Sequence, residues 1–237
     1  MRHLTVGLLF LLTGCLPSLQ RVDAGRPPSP NNWGPNPVPL EWWYISAYLP
    51  SENLAFHWAM FKAYAPQDYR IGILQPAIFF PGPYHASHIA VTDLKENKKV
   101  FQERFDFAFD RPQGDSIVRY PPLHLEQGDW KLAQEGEGYR LEAGPIRLRL
   151  TPSKPAAVHP PGYSGTAETG RMYYVSYTRM NLEGTINGRP VKGEAWMDHQ
   201  WGDQLGGNSL GALWDWFGLH LSDGNDLMLY RVKNPKG

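Results

Sequence analysis

The feature that most restricts the fold of this chain is an Asn-Gly pair between two long segments of alternating hydrophobicity. Asn187 and Gly188 separate residues 172–186 from residues 189–196. A two-residue type I′ turn needs positive φ at both central positions, and Asn-Gly adopts this conformation readily. The two segments are therefore predicted to form an antiparallel β-hairpin.

Shorter alternating segments, bounded by Pro, Gly, Asn or Asp, occupy much of the remaining chain. In residues 54–64, for example, Phe56, Trp58 and Met60 share one face, as they would in a half-buried strand. The chain has 22 Pro and 24 Gly, and no segment of helical period extends beyond about three turns. We therefore predict an all-β barrel or sandwich. The strand candidates are residues 40–49, 54–64, 88–93, 100–109, 130–135, 139–142, 146–151, 172–186, 189–196, 214–221 and 226–232.

Composition excludes several classes of protein. The 23 basic and 23 acidic side chains give a formal net charge of zero, whereas a nucleic-acid-binding protein needs a basic face to neutralise phosphates. An apolar fraction of 42% is sufficient for a large core and argues against global disorder. The sequence has no G-x-S-x-G elbow, phosphate-binding loop or dinucleotide fingerprint.

The first fifteen residues have the pattern of an export signal that ends in a lipidation site. A short basic start precedes an apolar run at residues 4–12, which is too short to span a bilayer. Two small residues then precede Cys15, the only cysteine of the chain. This pattern predicts cleavage after residues 1–14 and acylation of Cys15, which would anchor an exported protein to the cell membrane or to the periplasmic side of the outer membrane. The alternatives are an ordinary secretory signal or a buried strand with a chance cysteine.

A Pro-rich segment follows the predicted lipidation site. Residues 15–39 contain seven prolines, and a segment of this composition forms neither a helix nor a sheet ladder. We predict an extended tether here, with the folded part of the protein beginning at residue 40.

The first candidate site is the run Glu41-Trp42-Trp43-Tyr44 at the head of the first predicted strand. Glu41 and Trp43 share one face of a strand, and Trp42 and Tyr44 share the other. If Glu41 faces the interior, its carboxylate needs a partner or a raised pKa. The alternative is a strand end with Glu41 in solvent and the two Trp side chains in the core.

The second candidate site lies around Asp198 and His199, which can both transfer protons. Trp196 and Trp201 flank this pair in the sequence. An Asp in an aromatic pocket can stay protonated and act as a general acid, and Trp faces attract a cation, including a carbocation. Because neighbouring strand residues point to opposite faces, both groups reach one pocket only if the strand ends or bulges there. The alternative is structural packing of these residues at a strand end. The same aromatic pattern continues with Trp214, Asp215 and Trp216.

Three Trp-rich segments together resemble the hydroxyneurosporene synthase (carotenoid 1,2-hydratase)/AttH family. They are EWWY at 41–44, GEAWMDHQWGD at 193–203 and WDWFGLHLSDGNDLMLYR at 214–231. The resemblance extends from about residue 40 to the C-terminus. Members of the family are described as carotenoid hydratases, which add water to a C=C bond, and as predicted secreted hydrolases.

The resemblance implies a fold and a domain organisation. The fold is a lipocalin-like (calycin) antiparallel barrel at residues 40–205. It is followed at residues 212–237 by the start of a second lipocalin-like barrel, which we expect to be incomplete.

The resemblance also implies site residues. His199 and Trp201 match the His-x-Trp pair of the family hydratases, and Asp198 precedes them. Tyr230 matches a family Tyr, but Arg231 and Val232 follow where the family has an Asp. The candidate catalytic residues are therefore Asp198, His199, Trp201 and Tyr230. The candidate ligand-binding residues are Glu41, Trp43, Trp196, Trp214, Asp215 and Trp216. We expect no metal and no other cofactor.

Three functions remain open from the sequence. The chain is a lipid-anchored hydratase or hydrolase of an apolar substrate, a carrier of lipids or pigments, or a Trp-lined lipoprotein that binds or cleaves glycans. The first two take an apolar small molecule or lipid as partner. Asp198 and His199 both pointing into an enclosed barrel would favour the enzyme, and both pointing outward would favour the carrier. A shallow groove with exposed Trp side chains would favour the glycan protein.

Overall fold

The computed structural model describes residues 16–67, 70–79, 81–106, 116–203 and 213–233. These residues form fourteen β-strands and very little helix, which confirms the all-β prediction. The helical parts are a 3₁₀ turn at Pro50–Glu52 and the single-turn helix α1 (Pro76–Phe79). The strands are β1 (Leu40–Leu49), β2 (Leu54–Ala63), β3 (Tyr84–Asp93), β4 (Lys98–Asp106), β5 (Ser116–Arg119), β6 (His124–Gln127), β7 (Trp130–Glu135), β8 (Gly138–Ala143), β9 (Ile146–Pro152), β10 (Ala157–Thr166), β11 (Gly170–Ile186), β12 (Arg189–Gly202), β13 (Leu213–His220) and β14 (Asp226–Lys233).

The strands up to β12 form one antiparallel sheet that curls into a nearly closed lipocalin-like barrel. Its order is β4-β3-β2-β1-β12-β11-β9-β8-β7-β6-β5, with β10 paired to the start of β11. Side chains connect the two edge strands of the sheet, β4 and β5. The Ser116 hydroxyl of β5 donates to the Asp106 carboxylate of β4. The Arg104 guanidinium of β4 also lies 4.5 Å from the centre of the Trp130 ring in β7. The predicted barrel is therefore present.

Alternating side chains fill the barrel interior. In β9, Ile146, Leu148 and Leu150 are buried, whereas Arg147 and Arg149 between them are exposed. This period of two places one face of each strand in the core and the other on the outside. Which face of β1 and β12 points inward therefore decides where the candidate site residues lie.

The strongest turn prediction is confirmed, and three strands, β5, β6 and β10, were not predicted. Asn187 and Gly188 have φ values of 54° and 73° and connect β11 to β12. Strands β5 and β6 have only four residues each, too few for alternation to be recognised. Strand β10 contains Pro160-Pro161. These prolines are tolerated because β10 pairs, among the described strands, with β11 alone, and because its register shifts between Val158 and Tyr163.

The prediction of an extended tether at residues 15–39 is wrong for the part nearest the barrel. Val22, Trp33 and Val38 are buried, and the Trp33 ring stacks on Tyr177 with centroids 4.5 Å apart. The Gln20 amide also donates to the Pro37 carbonyl over 2.6 Å. The apolar side chains between the prolines stabilise this segment against the barrel, because burial removes them from water.

Strands β13 and β14 form a separate two-stranded sheet against the outside of the barrel. They connect through residues 221–225, and both are among the strands that the sequence predicts. Among the described residues they pair with no strand of the barrel. The predicted signal peptide at residues 1–14 and Cys15 lie outside the described residues. In the part of the chain that is described, no helix is long and apolar enough to cross a membrane.

Candidate functional site

Strands β1 and β12 are neighbours, and they bring the two candidate segments together. Glu41 lies opposite Trp201 in the register, and Trp43 lies opposite His199. All four side chains point into the barrel and are buried. The interior alternative for Glu41 is therefore the one that the structure adopts.

The Glu41 carboxylate is fully buried and has several partners. Lys62 of β2 donates to it over 2.6 Å, and the backbone and side-chain amides of Asn36 donate over 2.8–3.1 Å. Burial alone would raise the pKa of Glu41, but the hydrogen bond and charge of His199, together with Lys62, outweigh it and lower that pKa. We refer to Glu41, Lys62, His199 and Asn36 as the inner cluster.

Hydrogen bonds hold the two nitrogens of the His199 ring, and aromatic rings cover its faces. Its Nδ1 lies 2.9 Å from the Asn32 carbonyl oxygen, and its Nε2 lies 2.9 Å from the Glu41 carboxylate. Because a carbonyl oxygen only accepts, Nδ1 carries a hydrogen. The rings of Trp43 and Trp201 stack on the imidazole with centroids 4.9 Å and 4.4 Å away. This enclosure fixes the ring but leaves little room for a substrate beside it.

Residues 32–36, called here the N-terminal strap, close the inner cluster. Asn32 accepts from His199, and the Trp33 carbonyl accepts from the Trp43 indole over 2.9 Å. Gly34 has a φ of +78°, and a Cβ there would lie 2.4 Å from a Glu41 oxygen. Glycine is therefore required where the strap crosses the cluster.

Asp198 lies on the opposite face of β12, outside the barrel wall. Its carboxylate accepts hydrogen bonds from the Trp196 indole over 2.6 Å and from the Tyr174 hydroxyl over 2.9 Å. The Ser176 hydroxyl donates to it as well, and the His159 Nε2 lies 2.8 Å from Ser176 Oγ.

The β13–β14 hairpin covers this carboxyl. The Trp216 indole donates to the Tyr174 hydroxyl over 2.7 Å, and the rings of Trp196 and Trp216 meet edge to face. Tyr230, opposite Trp216 in the hairpin, contacts Tyr174 with ring centroids 6.2 Å apart. We refer to Asp198, Tyr174, Ser176, His159, Trp196, Trp216 and Tyr230 as the outer cluster.

Burial strongly affects proton affinities in the outer cluster. Desolvation raises the pKa of Asp198 to about 7, despite opposing hydrogen bonds from Ser176, Trp196 and Tyr174. It also lowers the pKa of His159 to about 4 and raises that of Tyr230 to about 12. The cluster therefore holds a carboxyl that is partly protonated at neutral pH beside a neutral imidazole.

The structure separates the two residues that were expected to share a pocket. The pairing of β12 with β1 is regular from Trp196 to Gly202, so no bulge turns Asp198 and His199 towards one side. The expectation of one shared pocket is therefore wrong. Glu41, Trp43, His199 and Trp201 meet inside, whereas Asp198, Trp196, Trp216 and Tyr230 meet outside. Trp214 and Asp215 belong to neither cluster: Trp214 is half-exposed, and Asp215 forms an ion pair with Arg231.

Several side chains of the two clusters were not predicted from the sequence. Lys62, Tyr174, Ser176 and His159 are distant in sequence from the residues they contact. An alternating strand shows which residues share a face, but it does not show which strand lies beside it. A Lys among apolar residues in residues 54–64 was the available signal for Lys62. His85 and His88 occupy opposite faces of β3. In the described part of the chain, no group of three or more His, Cys, Asp or Glu side chains is placed to hold a metal ion.

These features define a lipocalin-like barrel protein with one polar cluster inside the barrel and a second between barrel and hairpin. The chain belongs to the AttH-like family, whose model matches residues 22–237. This confirms the broader part of the resemblance. A search of curated proteins finds no match to the sequence.

Two solved structures share the fold. One is a candidate AttH protein from Nitrosomonas europaea, at 23% identity and a TM-score of 0.71, with 92% of this chain and 68% of that chain covered. The other is kievitone hydratase from Nectria haematococca, at 14% identity and a TM-score of 0.52, with 94% of this chain and 67% of that chain covered. At these identities the likeness establishes the fold alone.

Proposed function

We propose that this chain is an exported hydratase or hydrolase that acts on an apolar, carotenoid- or lipid-like substrate at the outer cluster. The observation that carries the proposal is Asp198, a buried carboxyl with a pKa of about 7 among aromatic rings. Such a group supplies a proton at neutral pH, which an ordinary surface Asp does not. Kievitone hydratase supports the proposal as a hydratase with the same fold.

The chemistry of hydration follows from this arrangement. Protonated Asp198 donates its proton to one carbon of a C=C bond, which forms a C–H bond and leaves a carbocation at the other carbon. The faces of Trp196 and Trp216 stabilise that charge. Water then forms the C–O bond, and its surplus proton returns to the Asp198 carboxylate. The net reaction adds one water molecule and regenerates the acid. In a hydrolase, the same proton would go to the leaving group.

Ser176 and His159 connect the Asp198 carboxyl to the solvent through hydrogen bonds. Ser176 donates to Asp198, so its oxygen accepts from the Nε2–H of a neutral His159. His159 is only partly buried. This chain of hydrogen bonds provides a route by which the acid is reprotonated.

The inner cluster has a supporting role in this proposal. His199 and Trp201 match the family hydratases, yet the His199 ring is fully buried and covered on both faces. We assign to it the positioning of the strap and of β12, on which Asp198 lies. The protein would reach its substrate from a membrane, to which acylated Cys15 attaches it.

A carrier without catalysis is the second candidate. Aromatic rings continue from the outer cluster across β1, β2 and β3, because Tyr44 contacts both Trp216 and His57, and His57 contacts His88. This surface would suit a long apolar ligand. A carrier would bind the same ligand whether or not Asp198 can give up a proton.

Extraction of ligands that co-purify with the protein, followed by mass spectrometry, identifies the compound to assay. Asp198→Asn should then lower turnover about 10²–10⁴-fold, which is the usual contribution of a general acid to the reaction rate. Ligand affinity should change little. Asn suits the site, since its oxygen accepts from Trp196 and Ser176 and its amide donates to Tyr174. Asp93→Asn, at a surface ion pair with Arg189, is the matched control. Undiminished turnover in Asp198→Asn would reject the assignment, and ligand binding without any turnover of the ligand by the unmodified protein would favour the carrier.

A further inference from the structure

We propose that the loop between β2 and β3 inserts apolar side chains into a lipid bilayer, so that this end of the barrel rests on a membrane. The relevant part, called here the apolar loop, is residues 70–79. This proposal concerns a surface distant from Asp198 and does not depend on the reaction proposed above.

The apolar loop exposes large aliphatic and aromatic side chains together. Ile73 is 96% exposed, and Phe79, Ile71 and Leu74 are 63%, 59% and 53% exposed. Single exposed apolar residues are ordinary, but a contiguous group on a soluble protein marks an interaction site. Four such side chains within nine residues therefore need an apolar partner.

The backbone holds three of these side chains, Ile71, Ile73 and Leu74, in a tight turn, and Phe79 follows at the end of α1. The amide of Ile71 donates to the Leu74 carbonyl over 2.9 Å, and the amide of Leu74 donates back over 3.1 Å. Gly72 adopts a φ of +61° inside the turn. Ile73 therefore projects from a hydrogen-bonded turn, so that its side chain can enter the acyl region while the backbone stays at the level of the lipid headgroups.

The charges around the loop suit lipid headgroups. Residues 70–79 contain no Asp or Glu, and exposed Arg70 lies at the base of the apolar loop, two residues after Asp68. A basic side chain beside an apolar tip pairs with lipid phosphates while the tip enters the acyl region.

The loop lies at the end of the barrel where the chain enters the fold. The Gln67 side-chain amide donates to the Pro17 carbonyl over 2.7 Å, and the Gln75 amide donates to the Gln67 carbonyl. Pro17 is only two residues after Cys15, the predicted lipidation site. An acyl anchor and the apolar loop would therefore enter the same leaflet side by side.

A bilayer suits this surface better than a protein partner does. A stable protein interface buries about 800 Å² on each side across a broad patch, whereas these side chains come from one turn and the single-turn helix after it. A lipid leaflet needs no complementary shape, and each inserted side chain adds affinity independently.

The first test uses the chain from residue 16 onward, which contains every residue that the structure describes and no cysteine. Ile73→Cys then gives a single site for a polarity-sensitive fluorophore, and Leu94→Cys, at the opposite end of β3, gives the control. Vesicles of phosphatidylcholine with a minority of phosphatidylglycerol should shift the emission of the label at residue 73 to the blue and increase its intensity. The label at residue 94 should not respond. An equal response at both positions, or none at residue 73, would overturn the proposal.

The second test measures co-sedimentation with the same vesicles. Replacing Ile71, Ile73 and Phe79 by Ser should weaken vesicle binding about 100-fold or more, because three apolar anchors are lost. The control replaces Tyr48 and Leu94, which are similarly exposed at the opposite end of the barrel, and should bind like the unmodified chain. Circular dichroism checks that each variant is folded. Concentration-dependent dimers that the Ser variant abolishes, without vesicle binding by the unmodified chain, would show an interface between copies and refute the membrane proposal.

Discussion

Asp198 couples the stability of the protein to pH. Its pKa is about 7 in the folded state and about 3.9 in an unfolded chain. Between these values the folded state holds a proton that the unfolded chain has released. The resulting stabilisation is complete below about pH 4 and is lost as the pH rises through about 7.

Asp198→Asn should remove this part of the pH dependence. The unmodified protein should lose about 2–3 kcal/mol of unfolding free energy from this group between about pH 5 and about pH 8, whereas the variant should not. Urea unfolding at both pH values measures the difference. Parallel curves for the two proteins would show that Asp198 is ionised throughout this range.

Gly34 is the residue on which the N-terminal strap depends. Gly34→Ala should destabilise the protein by about 2–4 kcal/mol, because it adds strain at positive φ and a clash with buried Glu41 and Trp43. Gly188→Ala is the matched control: its φ is +73° but nothing lies within 4 Å of the added Cβ. It should cost only about 1 kcal/mol. Thermal unfolding compares the two, and equal losses would show that the strap does not press on the inner cluster.

At the scale of elements, a group of ion pairs fastens the β13–β14 hairpin to the barrel. Arg179 of β11 donates to the Asp226 carboxylate over 3.0 Å and 2.7 Å, and Lys154 and Thr178 donate over 2.6 Å and 2.8 Å. The Asp226 side chain is only 4% exposed. Charge-assisted hydrogen bonds of this kind are stronger than neutral ones.

Asp226→Asn should loosen the hairpin and uncover Asp198. Amide protection in residues 213–233 should fall, while protection in the β11–β12 hairpin should remain. The pKa of Asp198 should move down towards its ordinary value as desolvation decreases. Hydrogen exchange read by mass spectrometry measures protection, and Asp215→Asn, within the hairpin, is the control. Unchanged exchange in Asp226→Asn would show that the aromatic contacts alone hold the hairpin.

At the scale of the whole molecule, the proposed anchor decides where the protein works. Cys15→Ser should prevent acylation, so the protein should remain an uncleaved precursor. Metabolic labelling with a fatty acid distinguishes the two forms directly: the unmodified protein should incorporate label and lose residues 1–14, and the variant should do neither. Incorporation of label into the variant would contradict the lipidation prediction.

Many strands of the barrel could be predicted from the sequence, because the patterns that indicate a strand or a turn are local. Segments such as residues 54–64 and 146–151 alternate with period two, and Asn187-Gly188 specifies a tight turn by itself. Strand β10 was not predicted, because its prolines are typical of loops. Only the structure shows that this segment pairs with β11. The packing of the N-terminal strap was not predicted for a similar reason. Trp33 lies in a Pro-rich segment, and only the structure shows the barrel surface that buries it.

The sequence by itself determined that the chain is all-β and that Asp198 and His199 point to opposite faces if they belong to a regular strand. The structure shows that β12 continues regularly to Gly202. Only the tertiary structure decided which face lies inside the barrel, and thus that His199 joins Glu41 and Lys62 while Asp198 joins Tyr174, Ser176 and the hairpin. The physical reason is that strand periodicity comes from local backbone geometry. Burial and its effect on the pKa of Asp198 depend instead on side chains that are far away in the sequence.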